Sequence, residues 1–187
     1  MKKVVYVSGA PGAGKTSVAV PLATELGYAL LTKDTIKETL HDALGAPEPT
    51  PAWSRKLSDA SMELLWTLAA RAPTVVIEAN FRPRSEYQRG RLTELGGGRL
   101  VEVHCACPAE VAVARYNARA RHTHPVHAIP AMDAAAMASY DRPVGIGALV
   151  TVDTTRPVDI PAIAVMVRKH LSGNLVNDKY TRRNWIQ

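Results

Sequence analysis

The stretch KKVVYVSGAPGAGKTSVAV, residues 2–20, joins an apolar run to a glycine-rich turn and then to a helical pattern. Within it, residues 9–16 match the pattern G-x-x-x-x-G-K-[ST] at every fixed position. The glycines let the backbone curl so that successive N–H groups converge on phosphate oxygens, and the start of the helix adds a partial positive charge. The stretch therefore predicts a strand, a loop that binds the phosphates of a nucleotide, and a helix.

The side chains of this loop have separate predicted tasks. Lys15 is expected to reach the β- and γ-phosphates of ATP, and the Thr16 hydroxyl is expected to bind Mg²⁺. A glycine-rich turn with an exposed lysine is the alternative, but the position of the motif between a strand and a helix favours the phosphate loop. Further nucleotide contacts are assigned to Gly9, Ala10, Pro11, Gly12, Ala13, Gly14 and Ser17.

Length and composition indicate one compact domain. The 187 residues are 47% hydrophobic and 21% charged, and no apolar run reaches the roughly 18–20 residues of a membrane-spanning helix. We expect a domain over residues 1–172, a basic polar tail over residues 173–187, and a cytoplasmic protein without membrane contact. The net charge of +6 favours anionic ligands, and nucleotide phosphates and nucleic acid both meet that requirement.

Predicted strands and helices alternate along the chain, which implies parallel strands joined by right-handed crossovers, with helices on both faces of the sheet. The predicted strands cover residues 2–8, 28–32, 74–80, 99–107 and 148–153. The predicted helices cover residues 15–26, 85–95, 109–121, 132–140 and 160–171, and two more begin at the candidate caps Thr35 and Ser54. The helix after Ser54 is expected to bury Leu57, Leu64, Leu65 and Leu68.

The chain resembles a known family at four places. These are the phosphate loop, TKDTIKETL after the second strand, VVIEANF at the third strand and CPAEVAVARYNARAR after the fourth. They are similar to the small P-loop kinases, and within these to the zeta-toxin, chloramphenicol phosphotransferase and polynucleotide-kinase-like group. The resemblance spans residues 3–170 and implies an α/β three-layer sandwich with a short lid. Its implied parallel sheet has five strands in the order 2-3-1-4-5.

Two acidic residues are expected at the edge of the sheet where the phosphate loop lies. The resemblance implies that Asp34 is the base that accepts the proton of the acceptor hydroxyl. Capping of the helix that begins at Thr35 is the alternative role for Asp34. Glu78 ends the third strand, where NTPases usually place an Asp that orients Mg²⁺ through water, so the Glu departs from the pattern and is predicted as a second metal residue.

Besides Asp34, four residues are predicted to contact the phosphate acceptor. Asn80, Arg82 and Arg84 follow the third strand, and either arginine could bind a phosphate or carboxylate of the acceptor or be an ordinary surface residue. Trp53 follows a proline-rich loop and is predicted as an aromatic wall of the acceptor pocket, with a core position as the alternative.

Three arginines fall near the end of the predicted helix over residues 109–121. The resemblance implies a lid, in which Arg119 and Arg121 contact the transferring phosphate and Arg115 lies nearer the adenine. A solvated basic helix end is the alternative. The resemblance alone places Thr155 and Arg156 at the adenine.

Histidine and cysteine residues are not predicted to form a metal site. His122, His124 and His127 are expected to face solvent or substrate, as alternate histidines in a loop usually do, and the lack of an acidic residue close by in the sequence argues against the alternative of a metal cluster. Cys105 and Cys107 are expected to pack in the interior.

The leading hypothesis is an ATP- and Mg²⁺-dependent kinase that phosphorylates a hydroxyl group of a small molecule. A 5′-hydroxyl nucleic-acid kinase is the first alternative, favoured by the basic balance and by the segment KYTRRNW, residues 179–185. A regulatory ATPase whose hydrolysis reorders a loop is the second, although no adaptor domain or second hydrolytic motif was found.

Overall fold

Five parallel strands form one sheet in the order β2-β3-β1-β4-β5. The computed structural model of the protein describes residues 2–45, 50–96, 99–119, 124–127, 133–140 and 142–173. The strands are β1 (Lys3–Ser8), β2 (Ala29–Thr32), β3 (Thr74–Glu78), β4 (Leu100–Ala106) and β5 (Ala148–Asp153). The predicted strand order is therefore confirmed.

Helices follow the strands and cover both faces of the sheet. They are α1 (Lys15–Leu26), α2 (Lys33–Leu44), α3 (Pro51–Arg71), α4 (Glu86–Gly96), α5 (Ala109–Arg119), α6 (Ala134–Met137) and α7 (Ile160–Ser172). Short 3₁₀ turns occupy Pro125–His127 and Ala138–Tyr140. No helix within the described ranges is long and apolar enough to span a bilayer.

The central strand β1 sends its side chains alternately into two cores. Val5 and Val7 pack with α1 and α7, whereas Val4 and Tyr6 pack with α3 and α4. Because both faces of a parallel sheet are covered, such a strand is apolar at nearly every position. This explains why the run before the phosphate loop shows no polar alternation.

The register of the strands determines which residues meet at the edge that carries the phosphate loop. Val7 of β1 lies opposite Glu78 of β3, and Ser8 lies opposite His104 of β4. Since parallel strands end at the same edge, the loop that follows β1 emerges beside Glu78. Residues more than 60 positions apart in the chain are thereby brought together.

A buried carboxylate ties the segment before β5 to the sheet. Glu102 of β4 is fully buried and accepts hydrogen bonds from the Tyr6 hydroxyl (2.8 Å), the Ser8 hydroxyl (2.5 Å) and the backbone N–H groups of Val144 and Gly145 (2.8 Å each). Four donors satisfy one buried anion, which is the condition under which an interior charge is tolerated.

Two helices begin earlier than predicted. The Thr32 hydroxyl accepts from the Thr35 backbone N–H at 3.1 Å, so Thr32 rather than Thr35 caps α2. The Thr50 hydroxyl caps α3 in the same way, and the predicted cap Ser54 lies inside that helix. Threonine and serine are both good caps, so composition alone could not choose between candidates a few residues apart.

The long helix α3 also buries a different face from the predicted one. Leu57 and Leu65 are buried as expected, but Leu64 and Leu68 are exposed, and Ser61 lies on the buried face. The Ser61 hydroxyl donates to the Leu57 carbonyl at 2.6 Å, which satisfies it inside the core. The sequence pattern could not show that a serine occupies a position on the buried face where an apolar residue is usual.

The tail predicted from residue 173 lies, from residue 174 on, outside the described residues.

Candidate active site

The phosphate loop connects β1 to α1 through three glycines in left-handed conformations. Gly9, Gly12 and Gly14 have φ values of 134°, 80° and 79°. At Gly12 a Cβ atom would lie 2.1 Å from the Ala112 carbonyl oxygen, so no other residue fits there. The glycines of the motif therefore meet both a conformational and a steric requirement.

Lys15 begins α1 and is held inside the loop. Its side chain is buried, with the residue 6% exposed, and its Nζ donates to the Ala10 carbonyl at 2.9 Å. Burial lowers the pKa of Lys15, while the nearby Glu78 carboxylate acts in the opposite direction. A buried ammonium group at the start of a helix is a strong attractor for phosphate oxygens.

Thr16 and Glu78 bring two oxygen donors together beside Lys15. The Thr16 hydroxyl donates to a Glu78 carboxylate oxygen at 3.2 Å. Burial raises the pKa of Glu78, and Lys15 lowers it. A hydroxyl and a carboxylate suit Mg²⁺, which prefers oxygen ligands and keeps several waters. Within the described ranges, no three His, Cys, Asp or Glu residues cluster closely enough to hold a metal ion by themselves.

A cleft of about 870 Å³ extends from the phosphate loop between α2, α3 and α5. Asp34, in the first turn of α2, lines this cleft together with Lys15, Glu78 and Asn80. The Asp34 side chain is 49% exposed, and Lys33 Nζ lies 3.7 Å from its Oδ1. Asp34 is therefore an accessible carboxylate in the same space as the phosphate loop.

A second cavity, of about 410 Å³, lies on the other side of the loop. Apolar side chains of Pro157, Val158 and Ile160 line it together with Arg115 and Arg156. Such a wall of apolar and cationic groups suits a nucleotide base.

Arg115 and Arg119 of α5 line this second cavity, and Arg119 also lines the large cleft. Arg115 donates to the Thr154 carbonyl at 3.1 Å. Thr155 does not line the cavity, because its hydroxyl bonds Asp153 at 2.6 Å; Thr154 lines it instead. Arg121 lies outside the described residues.

Three predicted acceptor residues do not line the cleft. Trp53 instead donates from Nε1 to His41 Nδ1 at 3.1 Å, and Arg84 donates to the Ala138 carbonyl at 3.3 Å. Arg82 is exposed to solvent and is not among the residues that line the cleft. The neighbouring Phe81 is buried in the core, where its ring packs against Tyr6 and Trp66.

Several polar residues that line the cleft were not singled out from the sequence. They are Lys33, Lys37, Ser54, Arg55 and Ser58. The spacing of Lys33 and Lys37, four residues apart on the helix of Asp34, was a usable signal because such residues share a helix face.

The two described histidines of the 122–127 region line the large cleft, and both also have acidic partners, which the sequence analysis did not expect. His124 Nε2 lies 3.0 Å from an Asp42 carboxylate oxygen, and His127 Nε2 lies 2.8 Å from one of Glu38. These partners come from α2, more than 80 residues away in the chain. His122 lies outside the described residues.

Both cysteines pack in the interior, as predicted. Cys105 is buried and Cys107 is partly buried against the same core. Burial raises the pKa of the Cys105 thiol to about 12, so the thiol stays protonated.

Comparison with solved structures finds the same fold in kinases. A protein from Chloroflexus aurantiacus described as a "putative kinase" is 28% identical over 91% of this chain and 98% of its own, with a TM-score of 0.76. The shikimate kinase of Acinetobacter baumannii, solved with shikimate, is 19% identical over 94% and 96% of the two chains, with a TM-score of 0.62. The APS kinase of Mycobacterium tuberculosis, solved with AMPPNP and APS, is 24% identical over 91% and 98%, with a TM-score of 0.54.

Comparison by sequence gives two further results. No curated protein matches the chain. Residues 4–143 match the family AAA_33, described as an AAA domain. This range contains the phosphate loop, Asp34, Glu78 and the arginines of α5. The chain therefore belongs to the AAA_33 family, and its fold is that of the P-loop kinases.

Proposed function

We propose that the protein is an ATP- and Mg²⁺-dependent phosphotransferase that moves the γ-phosphate to a hydroxyl group of a small molecule. The observation that carries this proposal is that Lys15, the Thr16–Glu78 pair and Asp34 line one cleft. A cleft of about 870 Å³ has room for the phosphates and a small acceptor side by side.

The nucleotide occupies the two cavities that flank the phosphate loop. The base lies between Arg115 and the apolar wall at Val158 and Ile160, and the phosphates meet the loop N–H groups and Lys15. Thr16 and Glu78 would hold Mg²⁺, and the cation would neutralise negative charge on the phosphates during transfer. Arg119, shared by both cavities, lies where it can contact the transferring phosphate.

Asp34 serves as the proton acceptor. The acceptor hydroxyl oxygen bonds the γ-phosphorus as the bond from that phosphorus to the bridging oxygen of ADP breaks, and the hydroxyl proton passes to the Asp34 carboxylate. Asp34 is suited to this because its half-exposed carboxylate lines the cleft, where it also forms an ion pair with Lys33 at 3.7 Å. Asn80, in the same lining, orients the acceptor.

We also propose a cytoplasmic location, where ATP is supplied and the two free thiols stay reduced. The nucleic-acid alternative rested on the basic charge balance and on residues 179–185, and that segment lies outside the described residues. The similar kinases named above carry small-molecule names, shikimate and APS.

The first experiment measures ATP consumption by the purified protein with Mg²⁺ across sugars, sugar acids, antibiotics, nucleosides and 5′-hydroxyl oligonucleotides. One acceptor class should stimulate turnover, and Asp34→Asn should lose about 10²-fold or more of that stimulated rate. Slow ATP hydrolysis that no acceptor stimulates, and that Asp34→Asn leaves unchanged, would replace this proposal with the regulatory ATPase.

A further inference from the structure

Helices α2 and α3 form a basic corner of the large cleft, made of Lys33, Lys37, Ser54, Arg55 and Ser58. Lys37 is only 3% exposed, and its Nζ donates to the Ser54 hydroxyl at 2.8 Å. Lys33 donates to the Ser58 hydroxyl at 3.2 Å. Each lysine is thus oriented by a neutral hydroxyl of the neighbouring helix, and Lys33 also forms an ion pair with Asp34 at 3.7 Å.

The charge of Lys37 lacks a counter-ion among the described residues. Its ammonium has three N–H donors, and one of them meets Ser54. The adjacent Glu38 carboxylate is instead engaged by His127 at 2.8 Å. A buried charge without a partner is unfavourable, so its retention in a cleft points to a ligand that supplies the opposite charge.

The two lysines also repel one another. Burial and the nearby Lys33 ammonium lower the pKa of Lys37 to about 8, against the weaker opposing effects of Asp34 and Glu38. An anion between the two lysines would relieve both the desolvation and the repulsion. Arg55, exposed on the adjacent turn of α3, adds a third cation to the same lining.

We propose that the basic corner binds an anionic group of the phosphate acceptor, namely a carboxylate, sulfate or phosphate. This inference rests on the proposed function, because it assigns the corner to the acceptor part of the cleft. Asp34 lies one residue from Lys33 and three from Lys37 on the same helix, so their side chains stand within one turn. An acceptor held by its anionic group at the corner therefore presents another part to Asp34. The acceptor is a small hydroxyl compound with an acidic group.

The basic corner binds the anionic group of the acceptor, a role that the sequence analysis assigned to Arg82 and Arg84. Those arginines do not line the cleft, whereas Lys33, Lys37 and Arg55 do. Specificity for the acceptor is thus located on α2 and α3.

Sulfate titration tests the corner without any turnover. The protein is first saturated with Mg²⁺ and AMPPNP, a non-hydrolysable ATP analogue, so that the phosphate loop is filled, and sulfate is then titrated by calorimetry. We expect one saturable sulfate site, weakened at least tenfold in Lys37→Met and in Arg55→Met. Lys56→Met is the matched control, because Lys56 is an exposed lysine of α3 outside the cleft lining. If Lys37→Met fails to fold, Arg55→Met still tests the site, because Arg55 is exposed and its replacement leaves no cavity in the interior.

Absence of a saturable sulfate site in the wild-type protein, or equal sulfate binding in wild type, Lys37→Met and Arg55→Met, would overturn the basic corner as an anion site. These outcomes say nothing against phosphoryl transfer itself, which the acceptor panel tests separately.

Matched acceptor pairs test the corner during turnover. Each pair consists of an acidic compound and its neutral counterpart, such as an aldonic acid and the alditol, or a nucleoside phosphate and the nucleoside. We expect kcat/KM to be at least tenfold higher for the acidic member, and the ratio to fall towards one in Lys37→Met with KM for ATP unchanged. Equal turnover of both members overturns the inference but leaves the kinase standing. Sulfate binding without turnover of any acceptor overturns the proposed function and leaves the basic corner as an anion site only.

Discussion

The Thr16 hydroxyl donates a hydrogen bond of 3.2 Å to a carboxylate oxygen of Glu78, although 62 residues separate the two in the chain. The contact exists because β1 and β3 are neighbours in the sheet and end at the same edge. It places a glutamate where an aspartate is usual, close enough to share one cation with the threonine.

Removing the Glu78 carboxylate should raise the Mg²⁺ requirement. In Glu78→Gln, the Mg²⁺ concentration for half-maximal ATP turnover should increase by about tenfold or more, because residues around a bound metal typically change its affinity by 10–100-fold. Thr16→Ala should behave alike and Thr16→Ser should stay near wild type, since serine keeps the hydroxyl. An unchanged Mg²⁺ titration in Glu78→Gln would remove Glu78 from the metal site.

Lys37 should make the stability of the protein depend on pH in the alkaline range. Its pKa in the folded protein is about 8, below the ordinary value of 10.5, so the unfolded chain binds more protons between these values. The unfavourable effect of the buried charge is complete below pH 8 and is relieved as the pH rises through that window. Relative to Lys37→Met, the wild-type free energy of unfolding should therefore gain about 2–3 kcal/mol between pH 7 and pH 10. Urea unfolding of both proteins at the two pH values measures this gain; parallel behaviour would contradict it.

Glu102 should be a major contributor to stability. Its replacement by alanine leaves the backbone N–H groups of Val144 and Gly145 without their acceptor in the interior. It also removes one of the two partners of the Tyr6 and Ser8 hydroxyls. We expect Glu102→Ala to lower the free energy of unfolding by about 3–5 kcal/mol, the range for breaking a buried charged network. The exposed Glu94 pairs with Arg91 at the surface, and Glu94→Ala should change stability by less than about 1 kcal/mol. A similar small loss in Glu102→Ala would show that the network is dispensable.

The contact between His127 and Glu38 should hold the turn Pro125–His127 against α2. In His127→Ala, the backbone N–H of residue 127, which bonds the His124 carbonyl, should exchange with solvent faster, while exchange in the strands stays as in wild type. His170→Ala, at an exposed position of α7, is the control. Unchanged exchange at residue 127 would mean that the backbone turn forms without the side-chain pair.

Asn80 and the two arginines after it should behave differently as acceptor residues. Asn80 lines the cleft, whereas Arg82 and Arg84 do not. With an acceptor identified, Asn80→Ala should raise its KM by about fivefold to tenfold, the equivalent of one lost hydrogen bond. Arg82→Ala should leave that KM within about twofold, because a solvated surface arginine contributes little. An equal effect of both variants would restore the acceptor role predicted for the arginines.

Local regularities made most of the fold predictable. The phosphate loop, the helix over residues 15–26 and the strand over residues 148–153 have the predicted bounds, because fixed glycine spacing, a terminal glycine and an apolar pattern identify them without tertiary information. The errors fall at helix starts, where Thr32 and Thr50 cap instead of Thr35 and Ser54. They also fall on α3, whose buried face includes Ser61.

By itself, the sequence determined the nucleotide half of the candidate site, since the eight residues of the loop encode a backbone conformation and carry their own lysine and hydroxyl. Only the tertiary structure decided the acceptor half. The basic corner depends on the packing of α2 against α3, which brings Lys37 into contact with Ser54. His124 and His127 contact Asp42 and Glu38 only because the chain returns to α2 after α5. Contacts between helices are fixed by side-chain packing over long separations, and no short pattern in a single chain encodes them.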